Sequence, residues 1–142
     1  MTDYIQQPFW EQTGHPAPGT HMTYNDFRTL PETNIPVELV HNTVIYPHWN
    51  EHTMTAAPVP THQEVVGVIH VWLFAHARQH GGKVYMAPSD VVLGDNVVQP
   101  DVMWLAENSQ CARTPTNFNG APELVVEVIS PGTAKRDRES KR

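Results

Sequence analysis

The stretch NVVQPDVMWL, residues 96–105, decides how this chain is read. It is β-branched and apolar like a buried strand, yet it carries Gln99, Pro100 and Asp101 near its centre. Proline removes a ladder donor, which disfavours a fully paired central position. Pro100 therefore marks an edge or local break that aims Asp101, or simply the first residue of a strand. Downstream, PELVVEVIS at 122–130 is a second apolar run with a carboxylate, Glu127, inside it. Side chains alternate faces along a strand. On that period Val97, Gln99, Asp101 and Met103 share one face, and Glu123, Val125, Glu127 and Ile129 share another. If the two strands are neighbours, Asp101 and Glu127 converge. Two close carboxylates repel and raise a pKa unless a cation neutralises them. Hard oxygen ligands of this kind suit Mg²⁺ or Mn²⁺. The simpler alternative leaves each carboxylate at a strand end, meeting solvent or a backbone N–H.

Outward from these strands the pattern is mixed. Residues 1–21 hold Pro8, Pro16 and Pro18, show no period, and read as an irregular arm ahead of a domain over 22–142. TYNDFRTL (23–30) predicts a short helix with Thr23 as N-cap and Asp26 three residues on. VELVHNTVIYP (37–47) predicts two short strands around a tight turn at His41–Asn42. THQEVVGVIHVWLFAHARQH (61–80) is the strongest helix, with Thr61 as its expected N-cap and Gly81–Gly82 as its stop. Its apolar residues occupy more than one face, so a sheet is expected to cover most of it, with Trp72 and Phe74 in the core. Residues 83–88, 90–93, 97–105 and 123–130 are strand candidates, with a turn at Gly94–Asp95–Asn96. A last helix begins near Thr133 and has about two turns before the sequence stops. The expectation is an α/β or α+β layer arrangement whose C-terminal part is missing.

With 142 residues the chain suits one domain with a single modest core. No apolar run approaches the ~18 residues of a membrane span, and no basic start precedes an apolar stretch, so neither membrane nor secretion is expected. Cys111 is the one cysteine, compatible with a reducing cytoplasm. A formal charge of −6 argues against a non-specific nucleic-acid coat. It leaves room for a local basic rim, and KRDRESKR (135–142) holds five of the nine Lys and Arg. That run also reads as a solvated helix end.

VVQPDVMWL followed by GAPELVVEVISPGT and RDRESK resembles the Uma-two type of endonuclease, a branch of the PD-(D/E)XK nuclease superfamily. VELV with NTVIYP, PTHQEVVGVIHVWL and YMAPSDVVLGDNVVQPD match in the same order, over roughly residues 22–142. The resemblance implies a restriction-endonuclease-like fold, a mixed β-sheet flanked by helices, and Mg²⁺- or Mn²⁺-dependent hydrolysis of DNA in the cytoplasm. It implies that Asp101 and Glu127 are metal ligands, that the Val128 carbonyl can add one, and that Glu38 is an accessory acidic residue. The superfamily lysine is replaced here by Ile129. The family's DRxxK stretch points instead to Lys141, with Lys135 as the other candidate. The two lie about 120° apart on a helix, so only one would face the site.

Other chemistries have weaker signals. His48 and His52, and His76 and His80, have i, i+4 spacing that zinc can use, but HARQH lacks the glutamate of a HExxH protease. His62 matches a histidine near the start of the family's long helix, where it would pack, cap or touch substrate. Trp49 and Trp104 are candidates for base stacking, and Arg136, Arg138 and Arg142 for phosphate contact. A non-enzymatic alternative is a nuclease-like module that has lost catalysis and binds nucleic acid or a protein. A third is a chain that completes a sheet edge through a partner, as a homodimer would.

Overall fold

A computed structural model describes residues 7–49 and 58–129. In chain order the elements are α1 (Phe9–Thr13), α2 (Tyr24–Phe27), β1 (Glu38–Val40), β2 (Thr43–Ile45), α3 (Pro60–His80), β3 (Lys83–Met86), β4 (Val91–Leu93), β5 (Asn96–Val98), β6 (Val102–Leu105), β7 (Ala112–Arg113), β8 (Phe118–Asn119) and β9 (Leu124–Val126). The strands divide between two sheets. One is six-stranded and mixed, in the order β2-β1-β5-β4-β8-β7, and the other has the order β3-β6-β9.

Local chemistry explains the first sheet. His41 and Asn42 both take positive φ, 49° and 60°, which closes a two-residue hairpin between β1 and β2. The Thr23 hydroxyl accepts the Asp26 N–H at 3.2 Å and donates to the Asp26 carboxylate at 2.8 Å, a reciprocal cap for α2. Phe27, Leu39, Val44, Tyr46, Val92 and Val97 form the core over this sheet. The segment expected to be an irregular arm adds to it. Helix α1 lies there, and Phe9 and Trp10 pack edge-on or stacked against Tyr46 and Trp49. Burial pushes the Tyr46 pKa up to about 12, and its hydroxyl donates to the Pro16 carbonyl at 2.6 Å.

The second sheet carries α3, which packs on β3 and β6. Three expectations for this helix need correction. Its N-cap is Val59, not Thr61, because Pro60 takes the first helical position, where its missing N–H costs nothing. Its stop at Gly81 is as expected. It is not covered on most sides: only His62, Val66 and Ala77 are buried. Trp72 is 81% exposed and Phe74 52%, so neither is core. The apolar residues spread around the cylinder, while the sheet beneath meets a narrow stripe of it. After the helix, Gly82 has φ of 86°, and a Cβ there would run into the Leu105 carbonyl and the Trp104 indole. Glycine is what lets α3 turn back onto β6 so closely.

The expected strand over 97–105 is in fact two, β5 in the first sheet and β6 in the second. The chain changes sheets at Gln99–Pro100–Asp101. The face shared by Val97, Gln99, Asp101 and Met103 therefore does not run through as one strand. The run over 123–130 is a strand only over Leu124–Val126. Among the described residues, no helix is long and apolar enough to cross a membrane.

Candidate functional site

The sheet-to-sheet crossing places Asp101. On one side, the Gln99 N–H has no ladder partner and donates instead to Glu38 Oε1 at 2.8 Å, while the Gln99 amide donates to Asp90 Oδ1 at 2.7 Å. Pro100, buried, has no N–H to satisfy. On the other side, the Asp101 carbonyl accepts the Ala87 N–H at 3.1 Å and leads into the β3–β6 ladder. Both ends of the crossing are thus tied by hydrogen bonds, and Asp101 is 5% exposed.

Around that carboxylate the second sheet and α3 supply neighbours. Strands β6 and β9 pair antiparallel as far as Val102 opposite Val126, and Asp101 and Glu127 adjoin that last pair. The two runs are neighbours through the β6–β9 pairing. Asp101 Oδ2 accepts the Val128 N–H at 2.7 Å. His62, in the first turn of α3 and buried, brings Nε2 to 3.2 Å from the same oxygen. His62 Nδ1 has no hydrogen-bond partner among the described residues. His48, just past β2, sets its ring edge-on to His62 at 5.2 Å between centroids and 75° between planes. One ligand atom each from His48, His62 and Asp101 lie within 4.8 Å of one another. A groove of about 470 Å³ opens over them, walled in part by Ile35, Met86 and Pro88.

The expected site residues fare differently. Asp101 is at the centre. Glu127 is half-buried and follows the last residue of β9, but its carboxylate is not in the His48–His62–Asp101 cluster. Val128, expected to lend its carbonyl, lends its N–H to Asp101. Glu38 is fully buried and holds the backbone two residues before Asp101. Lys135, Lys141, Arg136, Arg138, Arg142 and His52 lie outside the described residues. Of the aromatic candidates, Trp49 packs on Trp10, and the Trp104 indole donates to the Gly81 carbonyl at 3.2 Å. His76 and His80 stack on each other on the exposed side of α3. Cys111 is buried; burial first, then the Glu123 charge, push its thiol pKa up. The pairing of His48 with His62 had no motif to announce it, since thirteen residues of unpatterned, proline-bearing chain separate them.

A dication fits this donor set. Oδ1 of Asp101 takes part in none of the hydrogen bonds among the described residues, and Asp101 lines the groove. One carboxylate and two imidazoles within reach of a common point are donors that a divalent ion accepts.

The comparisons agree with this picture at the level of fold and family. Residues 24–142 match the model of the Uma2 family, described as "Putative restriction endonuclease". A crystal structure of a protein from Anabaena variabilis, described as a "putative nuclease belonging to DUF820", superposes with a TM-score of 0.64 at 18% identity. The match covers 82% of this chain and 63% of that one, so this chain spans under two thirds of the solved protein's length. No curated protein matches.

Proposed function

The chain belongs to the Uma2 family, and from that premise we propose that it is a divalent-metal-dependent endonuclease hydrolysing phosphodiester bonds of DNA in the cytoplasm. The observation that carries the reading is Asp101, a buried carboxylate at a tied crossing between sheets, whose Oδ2 accepts the N–H of Val128, the residue after Glu127. In this reading Asp101 and Glu127 hold Mg²⁺ or Mn²⁺, and the Val128 carbonyl is available as a further ligand.

Hydrolysis needs a water placed in line with the scissile bond and charge stabilisation on the attacked phosphate. The ion, when bound, neutralises phosphate charge and makes its water more acidic. The protein's own contribution is position. Glu38 fixes the Gln99 N–H, so the carboxylate two residues on is presented at a set angle. The Val128 N–H donates to Oδ2 and so orients the carboxylate. The groove bounded by Met86 and Pro88 admits the backbone of the substrate. Lys141, or Lys135, supplies a positive charge for the phosphate or a donor that orients the water.

Asp101→Asn keeps the shape of the side chain and removes its charge. Plasmid cleavage by the purified full chain in Mg²⁺ or Mn²⁺ is expected to fall more than about 100-fold, since outer-shell changes at metal sites alone cost about 10–100-fold. Cleavage at the wild-type rate by the pure variant would overturn the assignment.

A further inference from the structure

We propose that His48 and His62 join Asp101 as ligands of one ion, and that this two-imidazole, one-carboxylate set selects a first-row transition dication over Mg²⁺. The inference rests on Asp101 being an ion ligand, as in the reading above, and adds the nitrogen donors and the ion class.

Three observations converge. The first is distance. Two ligand atoms about 2.1 Å from a common ion, at an angle of about 100°, are about 3.2 Å apart. The His62 Nε2 to Asp101 Oδ2 separation is 3.2 Å. The second is convergence from separate parts of the chain. His48 follows β2, His62 opens α3 and Asp101 sits between the sheets, yet their ligand atoms lie within 4.8 Å of one another. The third is the state of the His62 ring. It is 5% exposed, and no hydrogen bond among the described residues engages Nδ1. In the structure Nε2–H donates to Oδ2 at 3.2 Å. Because Nδ1 is uncommitted among the described residues, the proton can move there when an ion takes the Nε2 lone pair.

Donor chemistry then sets the ion. Mg²⁺ prefers oxygen and keeps its waters, whereas imidazole suits Zn²⁺, Ni²⁺, Co²⁺ and, more weakly, Mn²⁺. Three protein donors leave coordination positions open toward the groove, where water or a phosphate oxygen can enter.

The test uses the full chain with the metals alone. Co²⁺ and Mn²⁺ binding by calorimetry is expected to be at least about tenfold tighter than Mg²⁺ binding. His48→Ala and His62→Gln should each weaken Co²⁺ and Mn²⁺ by about tenfold or more and leave Mg²⁺ within about twofold. Pulsed electron paramagnetic resonance of the Mn²⁺-loaded wild type needs no variant to fold and should show ¹⁴N couplings from imidazole. Absence of nitrogen coupling, or histidine variants that bind as wild type, overturns the inference. If Asp101→Asn abolishes Mg²⁺ binding and cleavage while the histidine variants change nothing, the inference fails and the nuclease reading stands. If the chain cleaves DNA yet binds no dication, both fail.

Discussion

The two sheets of this molecule are finished to different degrees. Over the six-stranded sheet, Leu39 and Val44 are wholly buried, and aromatic residues from α1 and the β2 turn close the core. Over the three-stranded sheet, Val102 and Met103 are equally buried, but the covering helix turns Trp72, Val71 and Val68 outward, at 81%, 67% and 71% exposure. The edge strand β9 likewise leaves Val125 52% exposed. Among the described residues the first sheet is the more closely covered, and the groove is lined from both sides of the crossing. The Gln99–Pro100 crossing joins them, so a well-packed layer anchors a carboxylate that faces a lightly covered one.

The contrast can be broken by substitution. Leu39→Ala empties a fully buried site in β1 and should cost about 2–5 kcal/mol in urea or thermal unfolding. A loss under about 1 kcal/mol would mean that the first sheet is not the source of cohesion. Glu38→Leu removes the acceptor of the Gln99 N–H and should cost about 1–3 kcal/mol, because a buried donor is left without a partner. Denaturant midpoints measure it, and an unchanged midpoint would show that the crossing is held by other contacts. Trp72→Ser should change stability by no more than about 0.5 kcal/mol, as surface changes do. A fall of several-fold that size would show that this face of α3 is covered in solution, and the two sheets would no longer differ.

What could be read in the sequence were features fixed by neighbours in the chain. The His41–Asn42 hairpin, the Thr23 cap and the Gly81 stop depend on backbone geometry within a few residues, and each appears where expected. The apolar pattern likewise marked the β6 and β9 segments, which pair antiparallel. Features fixed by distant partners were not legible. A split of 96–105 between two sheets depends on Glu38 accepting the Gln99 N–H from 61 residues away. The two-residue strands β7 and β8 have too little pattern to signal, and β8 pairs in parallel with β4 across the intervening chain. Exposure of Trp72 and Phe74 escaped because apolar residues on every side of a helix ordinarily mean burial. The meeting of His48, His62 and Asp101 is tertiary, with no spacing rule behind it.

Suspending Asp101 at a joint has a developmental corollary. Glu38 arrives with one layer, whereas His62 and Val128 arrive with the other. Neither layer alone holds the whole cluster, so the cluster forms only once both have docked, and any ligand held there would lock that docking in place.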